Sequence, residues 1–446
     1  MSDFKPSYRN YVLGVLTFGY VLNTFDRMIL GILLEPIKLE FGVSDMYLGL
    51  LGGVAFALFY ATFSIPIAFW ADRSNRRNVL ALAVLVWSAM TVLCGFAATF
   101  LILVLARIGT AIGEAGGSPP SHSLLADYFS AERRGTALSI YALGAPAGAM
   151  LGGLLGGIGN ELFGWRITFV LAGLPGLLLA PLILATILEP RAAPATAARP
   201  RVAVPPAPSF RQVAGFLWQR ASFRHLCAAC ALHSVTVYSG AMFNAAFLIR
   251  SHEWGTAQAG ALLAVVGGCG IAGTFVGGFL ADRLSARLGD SRWYMWVPGV
   301  ATLILVPIQL IGYLSPQTAT VMAAFAVGGF LSTVFFGPSF ATTQALAAPQ
   351  MRAVAASIVI FVKTMIGLGL GPLLIGRVSD LLLPVAGRHS LRYALLLLGL
   401  FGLWSAVHFM LGARRLRDDL DATARFAATP GTAGDARDRH GVLAQS

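Results

Sequence analysis

Long runs of apolar residues recur along the chain, and short polar segments separate them. A run of about 20 apolar residues can cross the ~30 Å hydrocarbon core of a bilayer as an α-helix. The strands of a membrane barrel would instead alternate apolar and polar residues over about ten positions. The pattern therefore predicts an all-α membrane protein with twelve spans. They cover about residues 10–34, 46–70, 78–98, 100–124, 135–158, 166–188, 223–249, 257–281, 293–314, 318–345, 353–378 and 391–412.

The second half of the chain repeats motifs of the first half. Residues 278–283 (Gly-Phe-Leu-Ala-Asp-Arg) match residues 68–73 (Ala-Phe-Trp-Ala-Asp-Arg) at an offset of 210. A second set recurs at an offset of 218: Pro120, Ser121, Arg134, Ala137, Ser139 and Ile140 return as Pro338, Ser339, Arg352, Ala355, Ser357 and Ile358. Two such halves joined by a linker are the layout of one large class of transporters. We therefore predict two pseudo-symmetric six-helix bundles.

These patterns divide the chain into four segments. An N-terminal bundle is predicted over residues 1–188 and a C-terminal bundle over residues 222–412. Between them, residues 189–221 alternate proline with alanine and arginine, which is typical of a stiff, extended linker. We place this linker in the cytoplasm. The polar tail, residues 413–446, is predicted to be disordered after one or two amphipathic turns.

Composition excludes the soluble and the disordered classes of protein. Of the 446 residues, 57% are hydrophobic and only 12% are charged, whereas soluble domains carry about 25% charged residues. A chain this apolar is also unlike a disordered protein, because disorder requires low hydrophobicity. The membrane class is therefore favoured by composition as well as by pattern.

Orientation in the membrane accounts for the net charge of +12. With both termini in the cytoplasm, 23 of the 32 lysines and arginines fall in cytoplasmic segments, six fall on the other side and three lie inside spans. An excess of lysine and arginine on the cytoplasmic side is what orients membrane proteins. We therefore expect both termini in the cytoplasm and no nucleic-acid partner.

Five charged residues lie at membrane depth: Asp26, Arg27, Arg107, Glu114 and Lys363. Each costs about 2.5–3.5 kcal/mol at the centre of a membrane helix unless it is paired, and such residues usually mark a transport pathway. Structural ion pairing is the alternative. The charges must therefore face one another or a water-filled cavity.

Helical geometry groups three of these charges. The rise along a helix brings Asp26 and Arg107 to similar depths, and Arg107 and Glu114 share a face because they are two turns apart. Arg107 can neutralise only one of the two carboxylates. We therefore predict that Asp26, Arg107 and Glu114 form a proton-coupling cluster in which Glu114 takes up the proton. Arg27 lies ~100° around its helix from Asp26 and is expected to point elsewhere.

Four residues are predicted to contact the substrate: Arg27, Lys363, Asn23 and Asn244. Lys363 either binds an anionic headgroup or extends its long stem to the cytoplasmic surface. We assign no catalytic residue, metal or cofactor. The glycine-rich run 367–371 lies inside an apolar span without a preceding strand, so it does not indicate a nucleotide site.

Two motifs resemble those of the major facilitator superfamily. Asp72-Arg73-x-x-Arg76-Arg77 and its copy Asp282-Arg283 are similar to the superfamily's signature loop, and residues 107–115 are similar to its helix 4 motif. The resemblance implies the major facilitator fold and covers nearly the whole chain outside the linker and tail. The residues expected to act in gating are Asp72, Arg73, Arg76, Asp282 and Arg283.

The two aspartates of these loops are expected to act as latches. The N-terminus of a helix carries a partial positive charge that attracts an anion. Asp72 should lie at the N-terminus of the helix that begins near Ala353 when the cytoplasmic side is closed. Asp282 should take the equivalent place at the helix that begins near Gly135.

Within the superfamily, residues 23–27, 113–134 and 144–148 resemble the spinster family, which includes exporters of sphingosine phosphate and of lysophospholipids. The resemblance implies that Asp26 and Glu114 are proton-linked carboxylates and that Arg107 is their partner. We expect a proton-coupled secondary transporter, not an enzyme, that works by alternating access on a lysolipid-like or sphingoid-like substrate. A small organic anion carrier or a drug/proton antiporter of the same fold is the alternative, and a channel or membrane receptor is the alternative of another class.

Arginine greatly exceeds lysine, and alanine and glycine are abundant, which is typical of a GC-rich bacterial genome. The expected location is therefore a bacterial inner membrane. The expected partners are the amphiphilic substrate, protons and membrane lipids. The protein is expected to act as a monomer.

Overall fold

The structure is a computed structural model that describes residues 4–190 and 209–428. All regular secondary structure in these ranges is helical, which confirms the predicted all-α class. The first half contains α1 (Pro6–Phe41), α2 (Asp45–Arg73), α3 (Arg76–Gly95), α4 (Phe100–Tyr128), α5 (Ala131–Ala142) and α6 (Gly144–Thr186). The second half contains α7 (Phe210–Trp218), α8 (Ala221–His252), α9 (Thr256–Leu288), α10 (Trp293–Leu314), α11 (Thr318–Ala345), α12 (Arg352–Val362), α13 (Gly371–Ala386) and α14 (Ser390–Ala428).

Nine helical stretches in the described residues are long and apolar enough to cross a membrane. Two of them, Arg133–Thr186 and Pro349–Phe426, contain 54 and 78 residues, more than one crossing of about 20 residues requires. The first turns at Gly164 (φ 78°, ψ 163°) and the second at Gly387 (φ 52°, ψ −132°), conformations that glycine adopts most easily. The nine stretches agree with a polytopic helical fold, while the count of twelve spans stays a prediction.

The helix ends gather on two faces of the molecule. On one face the Tyr8 hydroxyl donates to the Thr186 carbonyl (2.7 Å), and the Ser222 backbone N–H donates to the Asp419 carboxylate (2.8 Å). We call this the terminal face, because the described chain begins and ends there. The other, the opposite face, contains the connections from α1 to α2 and from α8 to α9.

The sequence repeat is visible in the backbone of two helices. Helix α4 is interrupted between Ala115 and Ser118, and α11 is interrupted between Thr333 and Phe336. The two interruptions lie 218 residues apart, and the same offset relates Pro120 and Ser121 to Pro338 and Ser339. The two halves therefore share a local backbone distortion as well as sequence motifs.

Glycines bring α6 close to α1 and so bury the charged part of α1. A Cβ atom at Gly152 would lie 2.8 Å from the Phe25 carbonyl oxygen, and one at Gly156 would lie 2.8 Å from the Ile29 side chain. Small residues permit such close backbone approach between membrane helices. Asp26 lies between these two contacts and is only 3% exposed.

The two halves meet at a pair of π-helical segments, Leu50–Val54 inside α2 and Lys363–Leu370 between α12 and α13. A Cβ atom at Gly53 would lie 2.8 Å from the Gly369 carbonyl oxygen. Backbone therefore packs against backbone at this contact, with no side chain between the two segments at Gly53.

Two expectations for the polar segments need correction. Residues Phe210–Trp218 of the predicted extended linker form helix α7, which a Ser209–Gln212 capping box begins. Val213 and Leu217 bury one face of this helix in the core of the second half. The predicted disordered tail is helical as far as Ala428, because α14 continues beyond the membrane span. Residues 191–208 and 429–446 lie outside the described ranges.

Candidate functional site

Helices α1, α3 and α4 bury an ion pair in the first half. Arg107 Nη1 donates to Asp26 Oδ2 at 2.7 Å, and the Thr91 hydroxyl donates to Asp26 Oδ1 at 2.6 Å. Asp26 and Arg107 are 3% and 1% exposed. The structure thus brings together the two residues that helical depth matched in the sequence.

A second ion pair lies beside the first. Arg27 Nε donates to Glu114 Oε2 in a close contact. The Glu114 side chain is fully buried, whereas that of Arg27 is 28% exposed. The Arg27 guanidinium also lies over the rings of Phe56 (5.1 Å) and Tyr60 (4.6 Å), where the electron-rich ring faces stabilise a cation.

The second pair corrects one premise of the sequence prediction. Arg27 does not point away from the cluster, because it pairs with Glu114. The four charges at membrane depth on α1 and α4 form two neutral pairs, so Arg107 does not have to neutralise two carboxylates. Within the described part of the chain, Glu114 Oε1 and Arg107 Nε are buried without a hydrogen-bond partner. Glu114 Oε1 can take up a proton or accept a hydrogen bond, and the Arg107 Nε–H group can donate one, because a buried polar atom without a partner is costly.

The equivalent positions in the second half carry no charge. The 218-residue offset relates Arg107 to Phe325 and Glu114 to Ser332. The Ser332 carbonyl hydrogen-bonds His233 Nε2 (2.8 Å), whose other ring nitrogen lies 3.1 Å from the Thr302 hydroxyl. Both nitrogens of this fully buried histidine thus have partners, and the two α4 charges have no charged counterpart at the equivalent positions of α11.

Lys363 begins the π-helical segment of the second half. Its ammonium nitrogen lies 4.8 Å from the centroid of the Phe336 ring. Lys363 and Phe336 are each roughly three turns from the terminal-face ends of their helices. The lysine is half-buried at that depth, so its stem does not carry the charge out to the terminal face.

The two asparagines predicted to contact substrate lie in different halves. Asn23 is 6% exposed and lines a cavity in the first half with Trp87, Gly117 and Tyr141. The cavity has a volume of about 10 Å³, which is enough for one water molecule. Asn244 of α8 accepts a hydrogen bond from the Tyr313 hydroxyl at 3.0 Å. Within the described residues, no hydrogen bond joins either asparagine to the two ion pairs.

The residues predicted to gate the terminal face occupy dissimilar environments. Arg76 is fully buried, pairs with Asp127 (2.7 Å) and Glu189, and donates to the Ser123 carbonyl at 3.0 Å. It ties the terminal ends of α3, α4 and α6 together within one half.

The other gating candidates are exposed on the same face. Arg73 and Arg283 lie over the neighbouring rings of Phe69 (5.8 Å) and Phe279 (5.7 Å). Asp282 accepts a hydrogen bond from the Tyr294 hydroxyl at 2.5 Å, so in this conformation its hydrogen bond is made inside the second half. The gating roles of these residues and of the exposed Asp72 stay predictions.

A charged cluster joins the two halves at the opposite face, and the sequence analysis missed it. Asp45 of α2 is 1% exposed and receives hydrogen bonds from Arg250 (2.7 and 2.8 Å) and Lys38 (2.7 Å). Arg250 also donates to Glu35 at 2.6 Å. Glu35, Lys38 and Arg250 all lie in the last turns of their helices, and this placement of opposite charges was the signal that could have indicated contact.

The helical bundle with paired charges at membrane depth defines a polytopic membrane transport fold. A sequence model of the Major Facilitator Superfamily matches residues 16–372. The chain belongs to the Major Facilitator Superfamily, and it is therefore a transporter rather than an enzyme.

Comparison with solved structures places the fold near spinster transporters. The crystal structure of a bacterial homologue of the human lysosomal transporter Spinster, in an inward-facing and unoccupied conformation, superposes with a TM-score of 0.86. It is 30% identical and the match covers 93% of this chain and 99% of the other. An occupied, inward-facing structure of such a homologue superposes with a TM-score of 0.81. The predicted spinster resemblance is thus confirmed.

Relatives with curated names differ in what they carry. An MFS-type efflux pump of Mycolicibacterium smegmatis is 32% identical over 93% of this chain and 94% of its own length. The sphingosine-1-phosphate transporter SPNS2 of Danio rerio is 34% identical over 40% of this chain and 36% of its own length. A probable galactarate/D-glucarate transporter of Bacillus subtilis is 24% identical over 75% of this chain and 77% of its own length.

Proposed function

We propose that the protein is a proton-coupled secondary transporter that works by alternating access and moves an amphiphilic, lipid-like molecule of lysolipid or sphingoid type. The observation that carries the proposal is the asymmetric pair of Arg27 and Glu114. One member is fully buried and has a free carboxylate oxygen, while the other is partly exposed and lies on two aromatic rings.

This pair can link a proton to an anionic group on the substrate. Glu114 in its charged form holds Arg27, because an unpaired charge at membrane depth is costly. Protonation of Glu114 removes that attraction and leaves the Arg27 guanidinium without a counter-ion. A phosphate or carboxylate headgroup then binds at Arg27, and the proton and the headgroup bind together.

The surroundings of Arg27 suit an amphiphile. Phe56 and Tyr60 offer apolar ring surface next to the cation, so one site can accept both a charged headgroup and the first part of an alkyl chain. Lys363, half-buried against Phe336 in the other half, is a second cation for the same class of headgroup. The names of the sphingosine-1-phosphate relatives support this substrate class.

Alternating access is supported by where the halves touch. The described side-chain ion pairs between the halves, from Arg250 to Asp45 and to Glu35, lie at the opposite face. An opposite face held shut by such contacts corresponds to one of the two end states of a rocking transporter. We propose that the terminal face lies in the cytoplasm of a bacterium, that the inner membrane is the location, and that the monomer is the working unit.

A small organic anion is the alternative substrate, because a carboxylate can occupy Arg27 without an alkyl chain. Several relatives are named as transporters of galactarate, benzoate or sulfoacetate, and these names favour this class. A drug/proton antiporter agrees with the name of the efflux pump. A channel or a membrane receptor is the alternative of another class.

Flux measurements in proteoliposomes test the proposal. Purified protein is reconstituted and assayed with a radiolabelled lysophospholipid, a sphingoid phosphate, benzoate and glucarate, each with and without a pH gradient. Saturable lysophospholipid or sphingoid flux that follows the gradient supports the proposal, and gradient-driven flux of the organic anions alone supports the alternative. Flux without saturation would indicate a channel, and tight binding without flux would indicate a receptor.

Two charge-neutralising variants test the coupling. We expect Glu114→Gln to retain substrate binding but to lose the dependence of flux on the pH gradient. Glu253→Gln is the matched control, because Glu253 is exposed and pairs with Arg388 at the surface, away from the two buried ion pairs. Equal pH dependence in wild type and Glu114→Gln would overturn the assignment of Glu114.

A further inference from the structure

Helix α7 carries an apolar surface that the core of the second half does not cover. Val213 and Leu217 are fully buried in that core, whereas Phe210 and Trp218 are 66% and 58% exposed. At 100° per residue, the two exposed rings lie about 60° and 140° around the helix from Val213, and the polar Gln219 lies about 240° around it. The helix therefore has three sides: one faces the core, one is exposed and apolar, and one is exposed and polar.

The start of α8 indicates the depth of α7. Only Gln219 and Arg220 separate Trp218, the last residue of α7, from Ala221, the first residue of α8, which is long and apolar enough to cross a membrane. Arg224 lies in the first turn of α8 and is exposed, and its guanidinium donates to the Trp218 carbonyl. A long basic side chain near the end of a span bends towards the headgroup region. Trp218 therefore lies at the depth where tryptophan is enriched, the interface between hydrocarbon and water.

Contacts with α14 hold α7 and the start of α8 in place. The ring of Phe216 packs against that of Phe426, with 4.7 Å between the centroids. The Asp419 carboxylate accepts a hydrogen bond from the Ser222 backbone N–H at 2.8 Å. Helix α7 is thus attached to α8 and α14, and its exposed rings keep one orientation relative to both helices.

The segment that contains α7 is basic. Arg211, Arg220 and Arg224 lie close together in sequence, and the chain has no acidic residue between Glu189 and Glu253. The salt bridges described at the terminal face involve other arginines. Within the described residues, Arg220 Nε is buried without a hydrogen-bond partner. Basic side chains beside an apolar interfacial surface attract the headgroups of anionic lipids.

We propose that α7 is an interfacial anchor. Phe210 and Trp218 enter the interface of the bilayer, and Arg211, Arg220 and Arg224 bind the headgroup of an anionic phospholipid. We call these five residues the α7 anchor. The anchor belongs to the second half, so it attaches that half to the membrane surface while the first half carries the buried ion pairs. It goes beyond the proposed function and does not depend on the substrate, on proton coupling or on alternating access.

Spin-label accessibility tests whether the apolar side of α7 enters the bilayer. The four native cysteines are replaced first. A nitroxide is then attached to Ala214→Cys, which lies between Phe210 and Trp218 on the apolar side, or to Gln219→Cys on the polar side. The labelled protein is placed in nanodiscs of equal amounts of phosphatidylcholine and phosphatidylglycerol. At Ala214→Cys, collisions with oxygen, which concentrates in the bilayer, should exceed collisions with a water-soluble nickel chelate, and at Gln219→Cys the order should be reversed.

Two results of this measurement would overturn the anchor. Greater access of the nickel chelate than of oxygen to Ala214→Cys would place the apolar side in water. Low access of both reagents would show that another part of the protein covers it.

Native mass spectrometry tests the choice of lipid. The protein in a neutral detergent is titrated with phosphatidylglycerol or with phosphatidylcholine, and the dissociation constant of the first bound lipid is measured. A basic residue near an anionic lipid contributes about fivefold in affinity. Arg211→Gln/Arg224→Gln should therefore weaken the binding of phosphatidylglycerol about 25-fold and leave that of phosphatidylcholine unchanged.

The matched control is Arg287→Gln/Arg414→Gln, which removes the same net charge from exposed positions of α9 and α14. It should keep the wild-type affinity for phosphatidylglycerol. Equal affinities in the two double variants, or a wild type that binds both lipids equally, would overturn the headgroup role.

Loss of the Arg224 hydrogen bond to Trp218 could also disturb the fold. A melting temperature of the double variant far below that of the control would reveal this. Arg211→Gln, at an exposed side chain, then replaces it and should weaken phosphatidylglycerol binding about fivefold. Wild-type affinity in Arg211→Gln would overturn the headgroup role in the same way. Neither measurement needs substrate or a proton gradient, so failure of the anchor is distinct from failure of the flux assay.

Discussion

Arg27 donates a hydrogen bond to Glu114 while the residue before it, Asp26, accepts one from Arg107. Two consecutive residues of α1 therefore bind two residues of α4 that are two turns apart. The partners have opposite charge in both cases, so the cluster is neutral as a whole. Any event that neutralises one carboxylate leaves one arginine free to bind another anion.

The two members of the Arg27–Glu114 pair should be strongly coupled in stability. Arg27→Ala leaves a buried carboxylate without its partner, and removal of one member of a buried pair costs about 3–5 kcal/mol. The double variant Arg27→Ala/Glu114→Gln removes both charges and should recover most of that loss, but without restoring pH-driven transport. Thermal unfolding of the two single variants and the double variant in detergent measures the coupling. Additive losses in the double variant would contradict an ion pair.

Arg76 should be important for stability. It is fully buried and binds Asp127, Glu189 and the Ser123 carbonyl. Arg76→Ala should lower the free energy of unfolding by about 3–5 kcal/mol, because it strands acidic partners. The nearby Arg73 is exposed, and Arg73→Ala should change stability by less than about 0.5 kcal/mol. Similar melting temperatures for the two variants would contradict this assignment.

Asp290 lies in the loop between α9 and α10, outside the membrane spans. Hydrogen bonds from Arg292, with a further one from Arg417, lower the pKa of its carboxyl from 3.8 to about 2. The charged form is favoured by folding, so its stabilising effect is complete above about pH 4 and disappears as the pH falls towards 2. The difference in melting temperature between wild type and Asp290→Asn should therefore shrink as the pH is lowered from 5 to 2.5.

The control for Asp290 is Asp418→Asn, because Asp418 is an exposed carboxylate that lies 3.8 Å from Arg415 on the helix that also carries Arg417. It corrects for the loss of one surface charge. A wild-type to Asp290→Asn difference that is constant over this pH range would show that the carboxylate does not stabilise the fold through its charge.

Gly53→Ala should impair transport. The added Cβ atom would lie 2.8 Å from the Gly369 carbonyl oxygen and 3.0 Å from that of Leu368. Overpacking of this kind costs about 1–3 kcal/mol, and here the cost falls on the state with a closed opposite face. The transport rate should fall about tenfold. Gly14→Ala is the control, since apart from its own helix backbone and chain neighbours nothing lies within 4 Å of a Cβ there. Equal rates in the two variants would contradict the prediction.

The fold could be predicted from the sequence because membrane spans are long, local patterns. The pairing of Asp26 with Arg107 also followed from depth along two helices. The Arg27–Glu114 pair was not predicted. The ~100° step around α1 from Asp26 to Arg27 suggested that Arg27 points away from the cluster. However, α4 presents charged partners at two depths, so both residues can be paired. Two acidic and two basic residues at membrane depth on α1 and α4 were the available signal for two neutral pairs.

The charged cluster at the opposite face could not be predicted in the same way. Asp45 and Arg250 are 205 residues apart along the chain. Their contact depends on the relative orientation of the two halves, which is a property of the conformation and not of any local sequence pattern. The helical residues beyond 412 were missed because a polar composition was taken to indicate disorder, although Leu416 is buried and Phe426 packs against Phe216.

The backbone contact between Gly53 and Gly369 makes α2 a lever with unequal arms. Asp45 lies about 12 Å from Gly53 along the helix, and Asp72 lies about 28 Å from it on the other side. If the halves rotate about this contact, a displacement at Asp45 is accompanied by one more than twice as large at Asp72. Small movements at the opposite face are thus amplified at the terminal face.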